Sequence, residues 1–145
     1  MGKLKYLLII FLFQISCGKA DIEKDLKKNA MDDFSNIFSI SHDSENDRLT
    51  VTRCIAATSL AKDLVRGKLK DDYDPSQDPA AILNFNYSSI ALKYFSGAIK
   101  KASQREKYLL NLGVDDGSSL VYSDVVFCSE QFDQARIKYP TTFLD

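Results

Sequence analysis

Three cysteines, one histidine and several close-set aspartates are the side chains of this 145-residue chain whose types could do chemistry. Cys54 and Cys128 are the most informative of them. Cys54 falls on the apolar stripe of a helix-like stretch in which Val51, Cys54, Ile55, Thr58, Ala61, Leu64 and Val65 recur at helical spacing, with Arg53, Lys62, Asp63 and Arg66 turned away. Cys128 has an equivalent place, because Val121, Val125, Cys128, Phe132 and Ala135 step by four, three, four and three. Both thiols therefore point inward. In an oxidising compartment two such sulphurs on neighbouring helices are expected to form a disulfide.

The third cysteine, Cys17, bears on the compartment. Lys3 and Lys5 precede an unbroken apolar run over residues 6–13, and small or polar residues follow over 14–20, which is the three-part layout of a secretory signal. A membrane span needs about 20 apolar residues, so this shorter run is expected to be read for export and removed. Two cuts fit. Gly18 and Ala20 are small residues at the minus-three and minus-one places of an ordinary signal peptidase site, releasing a soluble chain from Asp21. Ile15, Ser16 and Cys17 instead resemble the end of a bacterial lipobox, with Gln14 where leucine is usual; cleavage would then precede Cys17, which would carry the lipid. On either course Cys17 is removed or acylated, and the remaining pair suffices for one bridge. Closing a loop of about 75 residues would contribute about 4 kcal/mol.

Other chemistries find little support. His42 stands in a polar loop without the His or Cys spacing of a metal site and without a Gly-x-Ser-x-Gly elbow for a serine triad. Asp72, Asp74, Ser76 and Asp78 alternate like calcium-loop ligands, yet the turn glycine is missing and Leu83 holds the place of the bidentate glutamate, so an acidic connector is the expected role. Asp71, Asp72, Asp115 and Asp116 are close enough in pairs to suggest carboxylate catalysis, but turns and helix caps account for them. No phosphate-cradling glycine loop is present, and the disulfide would consume both candidate cysteine nucleophiles. The chain is thus expected to be non-catalytic, with no cofactor and no metal. Nucleic acid is disfavoured as a partner: cleavage before Cys17 removes Lys3 and Lys5 and leaves 17 basic residues against 20 acidic ones. The basic clusters at Lys24, Lys27, Lys28 and at Lys100, Lys101, Arg105, Lys107 are explained as solvated helix faces.

The elements that must carry the two cysteines are all helical by pattern. Residues 1–20 form the signal, 21–140 one helical domain and 141–145 a tail. Ile22, Leu26, Ala30, Phe34, Ile37 and Phe38 mark a first amphipathic helix. The Cys54 helix follows, capped at Ser44 or Asp47 and reaching Gly67 or a turn further. Asp78 and Pro79 are a good N-cap and first residue for a long third helix running past Ala102, whose apolar surface is widened by Phe85, Leu92, Phe95 and Ile99. Ser103 and Glu106 form a capping box that could restart a short fourth helix ending at Leu112 before Gly113. Residues 115–119 are read as a turn and the cap of the Cys128 helix, which Pro140 stops. The expected fold is all-α: a four- to five-helix bundle stapled by one disulfide, after an N-terminal signal peptide.

Thr52-Arg53-Cys54-Ile55-Ala56 on one helix, the lead into a long helix at residues 78–81 and Phe127-Cys128 on the last helix resemble the layout of periplasmic immunity proteins that neutralise type VI secretion amidase effectors. The resemblance covers roughly residues 50–135. It implies an exported, helical, two-cysteine protein that captures a cell-wall amidase toxin as a monomer or a homodimer and blocks its cleft. No contact motif of that family matches, so no contact residue is carried over. The alternative expectation is an outer-membrane lipoprotein with a structural or assembly role, touching the membrane only through a lipid on Cys17. In both readings the protein resides in the periplasm or at the outer membrane of a bacterium.

Overall fold

The structure, a computed structural model, describes residues 44–141 and 143. The leader, Cys17, the helix expected over residues 21–39 and His42 lie outside the described residues. Four α-helices account for nearly all of the described chain: α1 (Ser44–Leu69), α2 (Pro79–Tyr94), α3 (Ala98–Asn111) and α4 (Val114–Lys138). A short 3-10 turn, Lys70–Asp72, follows α1. No strand occurs among the described residues. The all-α, disulfide-stapled bundle expected from the sequence is the fold.

α1 is the axis of this arrangement and packs against each of the other three helices. Its apolar stripe predicts burial on one side, but every residue from Val51 to Thr58 is buried. Small side chains make this possible. Thr52, Ala56, Ala57 and Thr58 let neighbouring backbones approach from several directions, and a helix enclosed on all sides sits at the centre of its bundle. Thr58 disposes of its hydroxyl by donating to the Cys54 carbonyl at 2.6 Å, and Asn84 of α2 donates to the Ile55 carbonyl at 3.0 Å. The Thr58 hydroxyl and the Asn84 amide are thereby satisfied rather than excluded.

α2 begins as its sequence dictates. The Asp78 carboxylate accepts from the Ala80 amide at 2.9 Å, and Pro79 occupies the first helical position, where the missing N–H costs nothing. Leu83, Tyr87, Ile90 and Ala91 form its buried face. The helix does not continue to Ala102 as its apolar pattern suggests. It stops at Tyr94, and Gly97 turns the chain with a left-handed φ of +80° before α3 opens at Ala98. Only glycine adopts such a φ cheaply, so Ser96-Gly97 overrides a period that is otherwise unbroken. The restart therefore falls at Gly97 instead of Ser103. A second glycine, Gly113 at φ +87° and ψ 168°, separates α3 from α4, and residues 115 and 116 lie in the first turn of α4 rather than in a loop before it.

The end of α4 is tied back to the start of α1. Asp47, 1% exposed in the first turn of α1, accepts from Lys138 Nζ at 2.7 Å and from the Tyr139 hydroxyl. The Tyr139 ring stacks at an angle on Tyr94 and Phe95, with centroids 5.2 and 5.1 Å away. Lys93 and Tyr94 both donate to the Pro140 carbonyl, and Phe143 meets Phe132 edge to face at 5.6 Å. These contacts fix where the chain leaves the last helix.

Candidate functional site

Cys54 and Cys128 are bonded, with Cα atoms 5.8 Å apart and a sequence separation of 74. Both are fully buried. The bridge joins the middle of α1 to the middle of α4, as their positions on the two stripes require. Beside it, the Tyr87 hydroxyl donates to the Cys128 carbonyl at 2.8 Å, and burial pushes the Tyr87 phenol well above its ordinary range.

Next to this covalent link lies an ionic one. Arg53 of α1 places Nε 3.0 Å and Nη2 2.9 Å from the two carboxylate oxygens of Asp124 on α4, a bidentate pair. Arg105 of α3 donates from Nη2 to the same carboxylate at 3.1 Å and from Nη1 towards the Arg53 carbonyl at 3.4 Å. Arg105 and Asp124 are each 1% exposed and Arg53 8%, so the sequence reading that turned Arg53 outward and put Arg105 on a solvated face is corrected. Burial lowers the Arg105 guanidinium to about 10, against the pull of Asp124. It stays charged at neutral pH. The cluster joins three helices through one buried carboxylate.

A signal for this cluster is present in the chain. Arg105 continues the buried series Ala98, Ala102, Arg105, Leu109 of α3, and Asp124 stands between Val121 and Cys128 on the inward stripe of α4. Opposite charges at core positions of two helices point to each other, because neither can be buried alone.

The sequence's acidic clusters are held in local structure. Asp74 accepts from the Ser76 amide and hydroxyl at 2.9 and 2.7 Å, which holds its carboxyl below the usual range. Asp78 caps α2 and accepts from the Tyr73 hydroxyl at 3.0 Å. Asp71 and Asp72 lie in the 3-10 turn, on a different element from Asp115 and Asp116. Among the described residues no group of three or more His, Cys, Asp or Glu side chains is placed to hold a metal ion, and no helix is long and apolar enough to cross a membrane.

An open groove of about 390 Å³ lies where α1, α3 and the start of α4 meet. Leu60, Leu109 and Val121, all buried, form its floor. Leu64 and Leu110 form its walls and remain 59% and 66% exposed. Gly117 keeps it open on the α4 side: a Cβ there would meet the Leu109 carbonyl oxygen at 2.7 Å, so the helix start and the end of α3 touch backbone to backbone. Asp63 and Glu106 line the edge. Sequence reasoning placed Leu64 on the core stripe of α1 and missed the groove, since α3 ends before it can cover that side chain.

No protein-family model, no curated protein and no solved structure matches the chain.

Proposed function

We propose that this protein is exported and acts without catalysis, by binding another protein, and that its partner is a cell-wall amidase toxin whose cleft it blocks. One observation carries the binding role. Leu64 and Leu110 stay more than half exposed while lining one groove over an apolar floor. Isolated exposed leucines are ordinary, but a concave apolar surface with open walls is what a partner's side chains enter. The Cys54–Cys128 bridge supports export, since disulfides persist in oxidising compartments and are rare in the cytosol. The choice of an amidase rests on the resemblance of the Thr52–Ala56 and Phe127-Cys128 segments to amidase immunity proteins.

A second reading, an outer-membrane lipoprotein with a structural role, is favoured by Ile15-Ser16-Cys17. The mass of the mature N-terminal peptide decides between an acylated Cys17 and a free Asp21. The binding role is tested by capture from envelope extracts with the mature, tagged chain, followed by a peptidoglycan hydrolysis assay on whatever is retained. An amidase whose turnover stops at about one equivalent of this protein is the expected result. Retained partners without amidase activity would overturn the immunity assignment, and an empty capture would overturn the binding role itself.

A further inference from the structure

The geometry points to the groove between α1, α3 and α4 as the docking site for a cationic amphipathic segment of a partner protein, one that inserts apolar side chains between flanking lysines or arginines. This rests on the binding role proposed above and names the chemistry of what is bound. Charge complementarity carries it. Asp63 lines it from the α1 side and Glu106 from the α3 side, and among the described residues no basic side chain lines the groove. Lys62, Arg66 and Lys107 belong to the same two helices but do not line it.

The backbone adds to this field. α3 ends at Asn111, so its negative end, with the Leu109 carbonyl beside Gly117, sits in the groove wall. The positive end of α4 borders the same groove through Gly113 and Gly117, about half a charge set against the two full charges of Asp63 and Glu106. An anionic ligand would therefore approach two carboxylates and a helix C-terminus. A purely apolar one would leave them desolvated and unpaired, which is costly. A side chain such as leucine on the Leu60–Leu109–Val121 floor, with a lysine on either side reaching Asp63 and Glu106, satisfies both surfaces. The volume is at the small end of ligand sites, suited to one or two anchoring side chains of a segment rather than to a whole cofactor. Helix-in-groove recognition uses anchors of this kind, one turn apart.

The test uses the mature disulfide-bonded chain and capped synthetic peptides of about 15 residues, long enough to hold a helix. One carries two leucines a turn apart flanked by lysines; a second replaces the lysines by glutamates; a third replaces the leucines by serines. Titration is followed by amide chemical shifts and fluorescence polarisation. The lysine–leucine peptide is expected to bind and to shift the amides of Leu64, Leu110 and Ser118. The glutamate peptide should bind roughly tenfold more weakly, two rim contacts having turned repulsive. In the variant Asp63→Lys with Glu106→Lys that preference reverses, and Leu110→Ser weakens both peptides while leaving the fold's helical signal unchanged. Higher salt should narrow the difference.

Equal affinity for the two charged peptides, shifts that map away from the groove, or no saturable binding up to about 1 mM would each overturn the inference. So would self-association that Leu110→Ser abolishes, since a second copy would then be the occupant. The outcome is separable from the role itself. A partner captured from the envelope as well by Leu110→Ser as by the wild type leaves the binding role standing and removes the groove from it.

Discussion

At the scale of single residues, the interior depends on pairing charges that cannot be buried alone. Asp124 serves two guanidiniums, and removing it takes the shared carboxylate from both, whereas removing Arg105 leaves the bidentate Arg53 pair in place. Asp124→Ala is therefore expected to cost about 3–5 kcal/mol and Arg105→Met distinctly less. Urea midpoints of the two variants check this, and equal losses would mean that the second arginine is as essential as the shared acid. Tyr87 gives a pH signature. Burial raises its phenol above the ordinary value of 10, so the stability it contributes is complete below pH 10 and is lost as pH rises beyond it. Arg105, lowered by burial, works in the opposite sense in the same alkaline range. Tyr87→Phe isolates the phenol, because the arginine is common to both proteins. The variant should begin about 1 kcal/mol less stable at neutral pH, having lost the bond to the Cys128 carbonyl, and should decline less steeply above pH 10. Denaturation curves taken at stepped pH would show the two lines converging.

At the scale of elements, the helices were legible in the chain, as were the junctions at Asp78-Pro79 and Gly113, and the junction at Gly97 was not. Asp78-Pro79 names the start of α2 to the residue, and the stepping of Val121, Val125, Cys128, Phe132 and Ala135 fixes which side of α4 faces inward. Apolar periodicity, however, runs unbroken through Phe95 and Ile99, and nothing in it reveals that Gly97 will take a left-handed turn between α2 and α3. The same limit hid the groove, which exists because α3 ends at Asn111 and exposes Leu64 and Leu110. Charged residues mislead in another way: the stepping of the α1 stripe turns Arg53 outward, while the full enclosure of α1 from Val51 to Thr58 follows from three neighbours converging on small side chains. Two glycines inside helices make a contrasting pair. A Cβ at Gly67 in α1 meets nothing within 4 Å, so Gly67→Ala should stabilise by about 0.5–1 kcal/mol through helix propensity alone. At Gly117 the same methyl strikes the Leu109 carbonyl oxygen, a backbone atom that cannot rotate aside. Gly117→Ala should destabilise by about 1–3 kcal/mol and push α4 away from α3. Thermal unfolding of the pair tests this: shifts of the same sign would mean that the contact at Gly117 does not constrain the two helices.

At the scale of the whole molecule, α1 is held to α4 in three ways: the Cys54–Cys128 bond at mid-length, the Arg53–Asp124 pair beside it, and Asp47 with Lys138 and Tyr139 at the far end. The covalent link differs from the others because it acts on the unfolded chain, closing a loop across 74 residues of sequence and contributing about 4 kcal/mol by that route. Its effect should therefore be nearly independent of the ionic cluster's own contribution in the native state. Cys54→Ser, Cys128→Ser and the double variant are expected to lose the same stability, since each opens the same loop, and to melt roughly 10 °C or more below the wild type. Additive losses for the two single variants would contradict a shared bond. The native helices should survive reduction at low temperature, because α1 is still enclosed by α2 and α3, neither of which carries a cysteine. Far-ultraviolet circular dichroism with and without reductant, read beside the melting curve, separates these effects. Retained helicity with a lowered midpoint is the expected pattern. Loss of helicity on reduction at low temperature would instead make the bridge a condition of folding, and would tie production of the protein to an oxidising compartment.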